Sequence, residues 1–244
     1  MTFPNLWLTI AQLMIVSLTI FLAWMTYRTN LLLKTYRPPF NVLLSVPETF
    51  SRLALVGICF FLAWLTGLSA EQLGFVLPFP RQSIIIGVSV GITTQFTINL
   101  VALWAVKQYG KHIYSPWLVW NILPRRPIEW LLVALAFIPA VLMEELLFRS
   151  LLIGAFFDTV PMWLLIAVTS VLFGFMHQPQ GVLGMVGAGV MNILFSILFV
   201  WSSELLVPFV THYTINMMQL IAANYQRDWL YDFSESVNEW PEPT

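Results

Sequence analysis

The sequence predicts an all-α fold, a polytopic membrane helix bundle of about seven transmembrane helices around an intramembrane polar site. Of the 244 residues, 59% are hydrophobic and only 9% are charged, whereas a soluble domain carries about 25% charged residues. The mean hydropathy is +0.80. Ionisable side chains nevertheless occur within apolar runs of the second half, where their cost in a bilayer makes them functional candidates.

Seven apolar runs are candidate spans, because about 20 mostly apolar residues cross a bilayer as a helix. They are residues 6–27, 50–68, 83–106, 128–157, 162–176, 182–201 and 204–223. The fourth run exceeds a perpendicular span, so we expect it to tilt, to bend at Pro139 or to protrude. The fifth run is short, which is tolerated where protein or a water-filled cavity covers the helix ends. The alternative to seven spans is an eighth helix, or a re-entrant turn around residues 181–189.

The chain is organised as one membrane domain with three predicted segments. Residues 1–127 are expected to form scaffold helices, 128–223 the helices of the site, and 224–244 a polar C-terminal tail. Cys59 is the one cysteine, so an intramolecular disulfide and a thiolate metal cluster are excluded. A net charge of −1 and the absence of a glycine-rich phosphate loop argue against a nucleic-acid partner. The lipid bilayer is the expected environment, with a multi-pass protein in it.

Two adjacent glutamates and an arginine lie inside the fourth apolar run. Glu145 and Arg149 are four residues apart, so in a helix they share a face and can form an ion pair. Glu144 points about 100° away from its neighbour and has no sequence-local partner. A buried ion pair that fixes helix register accounts for Glu145 and Arg149. It does not account for Glu144, which we expect to face a cavity as the working carboxylate.

Two histidines lie in later apolar runs. His177 comes near the end of the short fifth run, and His212 shares a helical face with Asn216 four residues on. Each has a structural alternative, because polar side chains also link helices in membranes by hydrogen bonds. Glu204 and Asp158 fall near the ends of runs and are expected to be solvated.

The combined residues support hydrolysis of an acyl bond such as a peptide bond. A carboxylate and a neutral imidazole can activate water by general-base catalysis, and a second imidazole with an amide can donate hydrogen bonds to an oxyanion. The same groups could instead hold a divalent metal such as zinc, and Glu144, His177 and His212 would then be its ligands. Sequence alone leaves the metal-free and the metal-bound water open, and no other cofactor is implied.

Three motifs in this order resemble those of the CPBP family, the CAAX proteases and bacteriocin-processing enzymes also called the Abi family. The motifs are Glu144-Glu145-xxx-Arg149, Phe173-xxx-His177 and His212-xxx-Asn216. The EExxxR element alone is modestly specific, but all three elements in successive apolar helices are highly specific. The resemblance spans roughly residues 128–219 and leaves the N-terminal segment without a family motif.

The resemblance implies an intramembrane endopeptidase similar to the type II CAAX prenyl protease. By motif position, Glu144 resembles the carboxylate that activates water, and His177 resembles its partner. His212 and Asn216 resemble the pair that stabilises the oxyanion, and the other glutamate and the arginine resemble supporting positions. The implied partner is a membrane-associated peptide or protein substrate. The single domain and short loops suggest a bacterial-type inner (plasma) membrane.

Two other functions use the same polar cluster. In the first, the protein is a non-catalytic membrane assembly or immunity partner, and the cluster docks another membrane protein. In the second, it is a proton-coupled transporter, since intramembrane Glu and His side chains also form proton relays. The sequence argues against transport because it lacks paired broken helices in two halves.

Overall fold

A computed structural model describes residues 3–36, 38–228 and 230, and over these residues the chain is helical without strands. The α-helices are α1 (Phe3–Leu33), α2 (Val46–Thr66), α3 (Pro80–Tyr109), α4 (Trp117–Ile122), α5 (Pro127–Glu145), α6 (Met162–Phe175), α7 (Gly181–Ser202) and α8 (Leu206–Tyr225). The all-α prediction is therefore confirmed. Most of the predicted tail, residues 229 and 231–244, lies outside the described residues.

Helix boundaries follow local sequence signals. Pro47, Pro80 and Pro127 each occupy the first turn of a long helix, where the missing N–H costs nothing and φ is already helical. Gly67 ends α2 with φ of +66°, a left-handed conformation that glycine adopts without the steric cost of a Cβ atom.

Five helical segments of the described chain have the length and apolarity to cross a membrane. They are Leu6–Leu33, Val46–Thr66, Pro80–Tyr109, Pro127–Leu151 and Gln178–Ser202. The other two predicted spans are also helices. However, α6 has 14 residues, about 21 Å of helix against a hydrocarbon core of about 30 Å. Polar side chains lower the hydropathy of α8. The number of spans therefore stays a prediction, while the helices themselves are present.

Large apolar side chains cover the outside of the bundle. Trp64, Trp163 and Val171 are 75%, 71% and 73% exposed, and many other aromatic and aliphatic residues of the long helices are exposed with them. A surface of this kind in water would be an aggregation hazard. In a bilayer it is the expected lipid-facing surface, so the exposed residues agree with an integral membrane protein.

The irregular part of the fourth run lies after the glutamates and not at Pro139. Pro139 is inside α5, which continues to Glu145, and a π-helical turn then occupies Leu146–Leu151. The N–H groups of Leu152 and Gly154 donate to carbonyls five residues earlier, at 2.9 and 2.8 Å. Turns of this type occur often at functional sites. This π turn is fully enclosed by protein, because residues 145–151 are all buried.

Residues 181–189 form no re-entrant turn, because α7 is continuous there. The eighth α-helix of the described residues has six residues and is too short to span a bilayer. It is α4, a short helix in the loop after α3. Asn121 of α4 donates its side-chain amide to the carbonyls of Pro38 and Phe40, and its oxygen accepts from Val42 N–H at 2.9 Å. One buried amide therefore ties two loops of the bundle together.

The contact of α3 with α8 is the most extensive helix packing in the bundle. A Cβ atom at Gly87 would lie 2.7 Å from Val210 Cβ, and one at Gly91 would lie 2.7 Å from Thr214 Cβ. Small residues four apart let two helix backbones approach closely in membranes. The two glycines therefore hold α3 against α8, although α3 belongs to the predicted scaffold segment.

The expectation that Glu204 is solvated is wrong. Glu204 is only 4% exposed, and its carboxylate accepts a hydrogen bond from the hydroxyl of Ser83, near the start of α3. The turn between α7 and α8 lies against α3, and this contact removes Glu204 from solvent. Asp158 is exposed, as expected.

Candidate functional site

The π turn after α5 holds a buried ion pair. Arg149 Nε lies 3.2 Å from Glu145 Oε2, and both side chains are fully buried. The guanidinium carbon lies 5.9, 5.6 and 5.2 Å from the ring centroids of Phe148, Phe173 and Phe195. Aromatic faces attract a cation at these distances. The predicted pairing of Glu145 with Arg149 is present, within a shell of aromatic rings.

His212 of α8 contacts both glutamates. Its Nδ1 lies 2.7 Å from Glu145 Oε1, and its Nε2 lies 3.6 Å from Glu144 Oε2. The imidazole also stacks on Phe195, with ring centroids 4.7 Å apart. Because a carboxylate paired with Arg149 can only accept, Nδ1 is the donor in the shorter contact. This contact fixes the tautomer of neutral His212 and leaves the Nε2 lone pair toward Glu144.

Glu144 and Glu145 differ sharply in their surroundings. The Glu145 side chain is fully buried between Arg149 and His212, whereas Glu144 keeps 28% of its side chain exposed. The two side chains point about 100° apart around the helix, so one carboxylate is enclosed by protein and the other is accessible. The accessible one can exchange protons with a substrate or with water.

His177 lies just after α6 and is oriented by the backbone. Its Nδ1 lies 2.6 Å from the carbonyl oxygen of Phe173, and the two rings are 4.5 Å apart. A carbonyl oxygen only accepts, so Nδ1 carries the proton and neutral His177 has its lone pair on Nε2. Among the described residues, no hydrogen bond or ion pair joins His177 to Glu144. The structure brings Glu144 to His212 instead.

A cavity of about 220 Å³ adjoins these groups, between α3, α7 and α8. His177, His212 and Asn216 line it, so three of the six predicted site residues share its wall. Glu144 is not a lining residue and is joined to the cavity through its contact with His212. Six side-chain amides also line it, from Gln95, Asn99, Gln180, Asn216, Gln219 and Gln226.

The candidate metal ligands do not form a cluster. Across the described ranges, no group of three His, Cys, Asp or Glu side chains is arranged to hold a metal ion. Catalytic zinc takes three protein ligands, and the proposed set of Glu144, His177 and His212 does not assemble into such a site here.

Tyr114, in the loop before α4, also lines the cavity. Burial raises the pKa of its phenol from 10.0 to about 12, although a hydrogen bond with Gln219 opposes this shift. The hydroxyl therefore stays protonated at neutral pH. Tyr114 and the two amides of α3 were not predicted, because they lie in the segment 1–127 that was expected to be scaffold. The available signal was the spacing of four that places Gly87, Gly91, Gln95 and Asn99 on one face.

These features define a class, namely an integral membrane helix bundle with a buried arginine–glutamate–histidine chain next to a polar cavity. Residues 126–218 match the family model described as Type II CAAX prenyl endopeptidase Rce1-like. The matched segment is less than half of the chain and includes all six predicted site residues. No curated protein and no solved structure was found to match. Over this segment, the match agrees with the resemblance that the three motifs carry, and the segment is similar to the type II CAAX prenyl endopeptidase model.

Proposed function

We propose that this protein cleaves a peptide bond of a membrane-associated substrate with a water molecule that Glu144 and the histidines activate. The observation that carries the proposal is the position of His212 between the two carboxylates. Glu145 is fixed by Arg149 and orients the imidazole from one side, while Glu144 approaches the other nitrogen. A base that is itself oriented by a buried carboxylate is the arrangement of many hydrolases.

In the proposed reaction, Glu144 accepts a proton from water as the water oxygen bonds to the substrate carbonyl carbon. The Nε2 lone pairs of His177 and His212 are the other acceptors available for that proton. The Asn216 amide donates a hydrogen bond to the oxyanion. When the carbon–nitrogen bond breaks, the stored proton passes to the leaving amine, so that a carboxylic acid and an amine are released.

The carboxylate roles differ in this scheme. Glu145 takes up no proton in this scheme, and it acts by positioning His212 through the 2.7 Å contact with Nδ1. Glu144 gains and loses the proton. The proposed scheme therefore predicts that Glu144→Gln abolishes cleavage while the protein folds and inserts, since glutamine conserves the shape and removes the base.

The test is a comparison of peptide N-termini in membranes that contain either the unaltered protein or Glu144→Gln. We expect new N-termini with the unaltered protein that disappear with Glu144→Gln. Asp158→Asn is the control, because it removes an exposed carboxylate of the same segment and should cleave normally. Identical N-termini in all membranes would contradict the proposal. A partner that copurifies with the unaltered protein and is lost with Glu144→Gln would then favour the docking function.

A further inference from the structure

Gln95 is a buried polar side chain at the middle of a long apolar helix. It lies halfway along α3, and its residue is only 2% exposed. Its Oε1 has no hydrogen-bond donor within reach among the described protein residues. Burial of an amide without its hydrogen bonds costs free energy, and buried unsatisfied groups are rare enough to need an explanation. Gln95 lines the cavity next to the two histidines.

Gln95 is paired with Asn99 one turn later. The Gln95 Nε2 donates to Asn99 Oδ1 at 2.8 Å, so the pair retains a free acceptor on Gln95 and free N–H donors on Asn99. If both amides were rotated by 180°, the pair would still present one free acceptor and one free donor group. This combination complements a peptide group, which offers one N–H and one C=O.

The cavity wall favours a neutral ligand. Among the described residues that line it, there is no Asp, Glu, Lys or Arg, and the polar groups are amides, imidazoles and a phenol. A charged ligand would find no counter-ion in this wall. An engineered cavity of about 150 Å³ accepts benzene, so 220 Å³ has room for part of a peptide chain.

We propose that Gln95 and Asn99 form a backbone clamp, which binds one peptide group of the substrate by hydrogen bonds in the cavity that His212 also lines. The proposal rests on the proposed peptidase function and adds a substrate-binding site on a helix outside the matched family segment. Recognition through main-chain atoms tolerates many side chains. The clamp would therefore position a chain for cleavage without selecting its sequence at that peptide group.

The test measures peptide binding in the Glu144→Gln protein, which keeps the probe intact. The probe is a dansylated mixture of apolar, N-acetylated tetrapeptide amides, and its counterpart carries N-methyl groups on the central peptide nitrogens. We expect the parent mixture to bind roughly 10-fold more tightly than the methylated one, because methylation leaves the Gln95 acceptor unsatisfied. With Gln95→Leu added to the Glu144→Gln protein, this difference in affinity should disappear, and the parent mixture should bind roughly 10-fold more weakly.

Gln82→Leu is the matched control, because Gln82 is an exposed glutamine of the same helix and should keep the full preference. An unchanged preference in Gln95→Leu would overturn the clamp, as would the absence of binding of either mixture. Failure of the peptidase proposal looks different. In that case, the unaltered protein releases no fragments in membranes while the preference for unmethylated peptides and its loss in Gln95→Leu remain.

Discussion

Two polar clusters at the cavity, here called the ionic side and the amide side, differ in how their buried groups are paired. On the ionic side, Glu145, Arg149 and His212 bind one another within a shell of aromatic rings. On the amide side, Gln95 and Asn99 bind each other once and leave a further acceptor and donor free. On the ionic side every charge has an opposite charge beside it, although Glu145 Oε2 and the three Arg149 nitrogens make no hydrogen bond among the described residues. On the amide side the unpaired buried acceptor is neutral.

The difference follows from the cost of burying each kind of group. An unpaired charge in hydrocarbon is far more costly than an unpaired amide, so charges must be paired before any substrate arrives. A neutral amide can remain without a hydrogen-bond partner in the unliganded protein at a smaller cost in free energy. We infer that the ionic side sets the orientation of the catalytic groups and that the amide side is available for binding.

The largest expected effect comes from breaking the ionic side. Arg149→Met keeps much of the side-chain volume but leaves Glu145 with a buried charge, so we expect a loss of roughly 3–5 kcal/mol in the free energy of unfolding. Arg52→Met is the matched control, since Arg52 pairs at the same spacing with Glu48, whose side chain is 48% exposed. Loss of this pair and of the Arg52 hydrogen bond to the Leu43 carbonyl should together cost about 1 kcal/mol. Unfolding in detergent, followed by circular dichroism, measures both.

Glu145→Gln combined with Arg149→Met provides a second check on the ionic side. It removes both charges, and we expect it to recover part of the stability lost in Arg149→Met. If Arg149→Met and Arg52→Met lowered the free energy of unfolding by equally small amounts, the buried ion pair would contribute no more to stability than the more exposed one. The contrast between the two sides of the cavity would then be wrong.

An intermediate effect is expected where α3 meets α8. Gly91→Ala would place a Cβ atom 2.7 Å from Thr214 Cβ, so the helices must separate at a cost of roughly 1–3 kcal/mol. Gly57→Ala on α2 meets nothing within 4 Å and should be neutral or slightly stabilising, because alanine favours a helix over glycine. Thermal unfolding of the two variants separates these outcomes, and equal transition temperatures would contradict the close packing.

The smallest effect is expected at Tyr114. Its pKa is raised from 10.0 to about 12, so the folded protein holds more protons than the unfolded chain between these values and loses stability as pH rises through that window. Below pH 9, Tyr114→Phe should change the free energy of unfolding only by a hydrogen bond, about 0.5–1.5 kcal/mol. Between pH 10 and 12, the unaltered protein should lose stability faster than Tyr114→Phe. If the free energy of unfolding fell equally with pH in both proteins, the Tyr114 phenol would be exposed and its pKa unperturbed.

Much of the fold could be predicted because the bilayer constrains it strongly. Apolar runs predicted seven of the helices, since a spanning helix must satisfy its own backbone. Five of them agree to within four residues at each end, whereas α1 continues six residues beyond its run and the fourth run ends twelve residues after α5. The pairing of Glu145 with Arg149 was also predictable from a spacing of four. The sequence could not locate the π turn, because no glycine or proline marks residues 146–151, and Pro139 was a misleading signal for a bend.

Contacts between helices were the part of the site that the sequence did not predict. Spacing along one helix says nothing about how far α8 is rotated, so the sequence did not show that His212 contacts both glutamates. The burial of Glu204 depends on a loop packing against α3, and its position near the end of a run suggested solvent. Gln95 was overlooked because a neutral residue in a predicted scaffold helix carries no charge signal.

A double-mutant cycle between Glu144→Gln and His212→Gln tests whether these two residues act as one catalytic unit. The measured quantity is the rate of cleavage of a substrate identified in membranes. Each single variant should lower the rate by roughly 10²–10⁴-fold. Because residues that act as a unit are not additive, we expect the double variant to be about as slow as the slower single one. Losses that multiply in the double variant would show that Glu144 and His212 act independently, and would contradict the account.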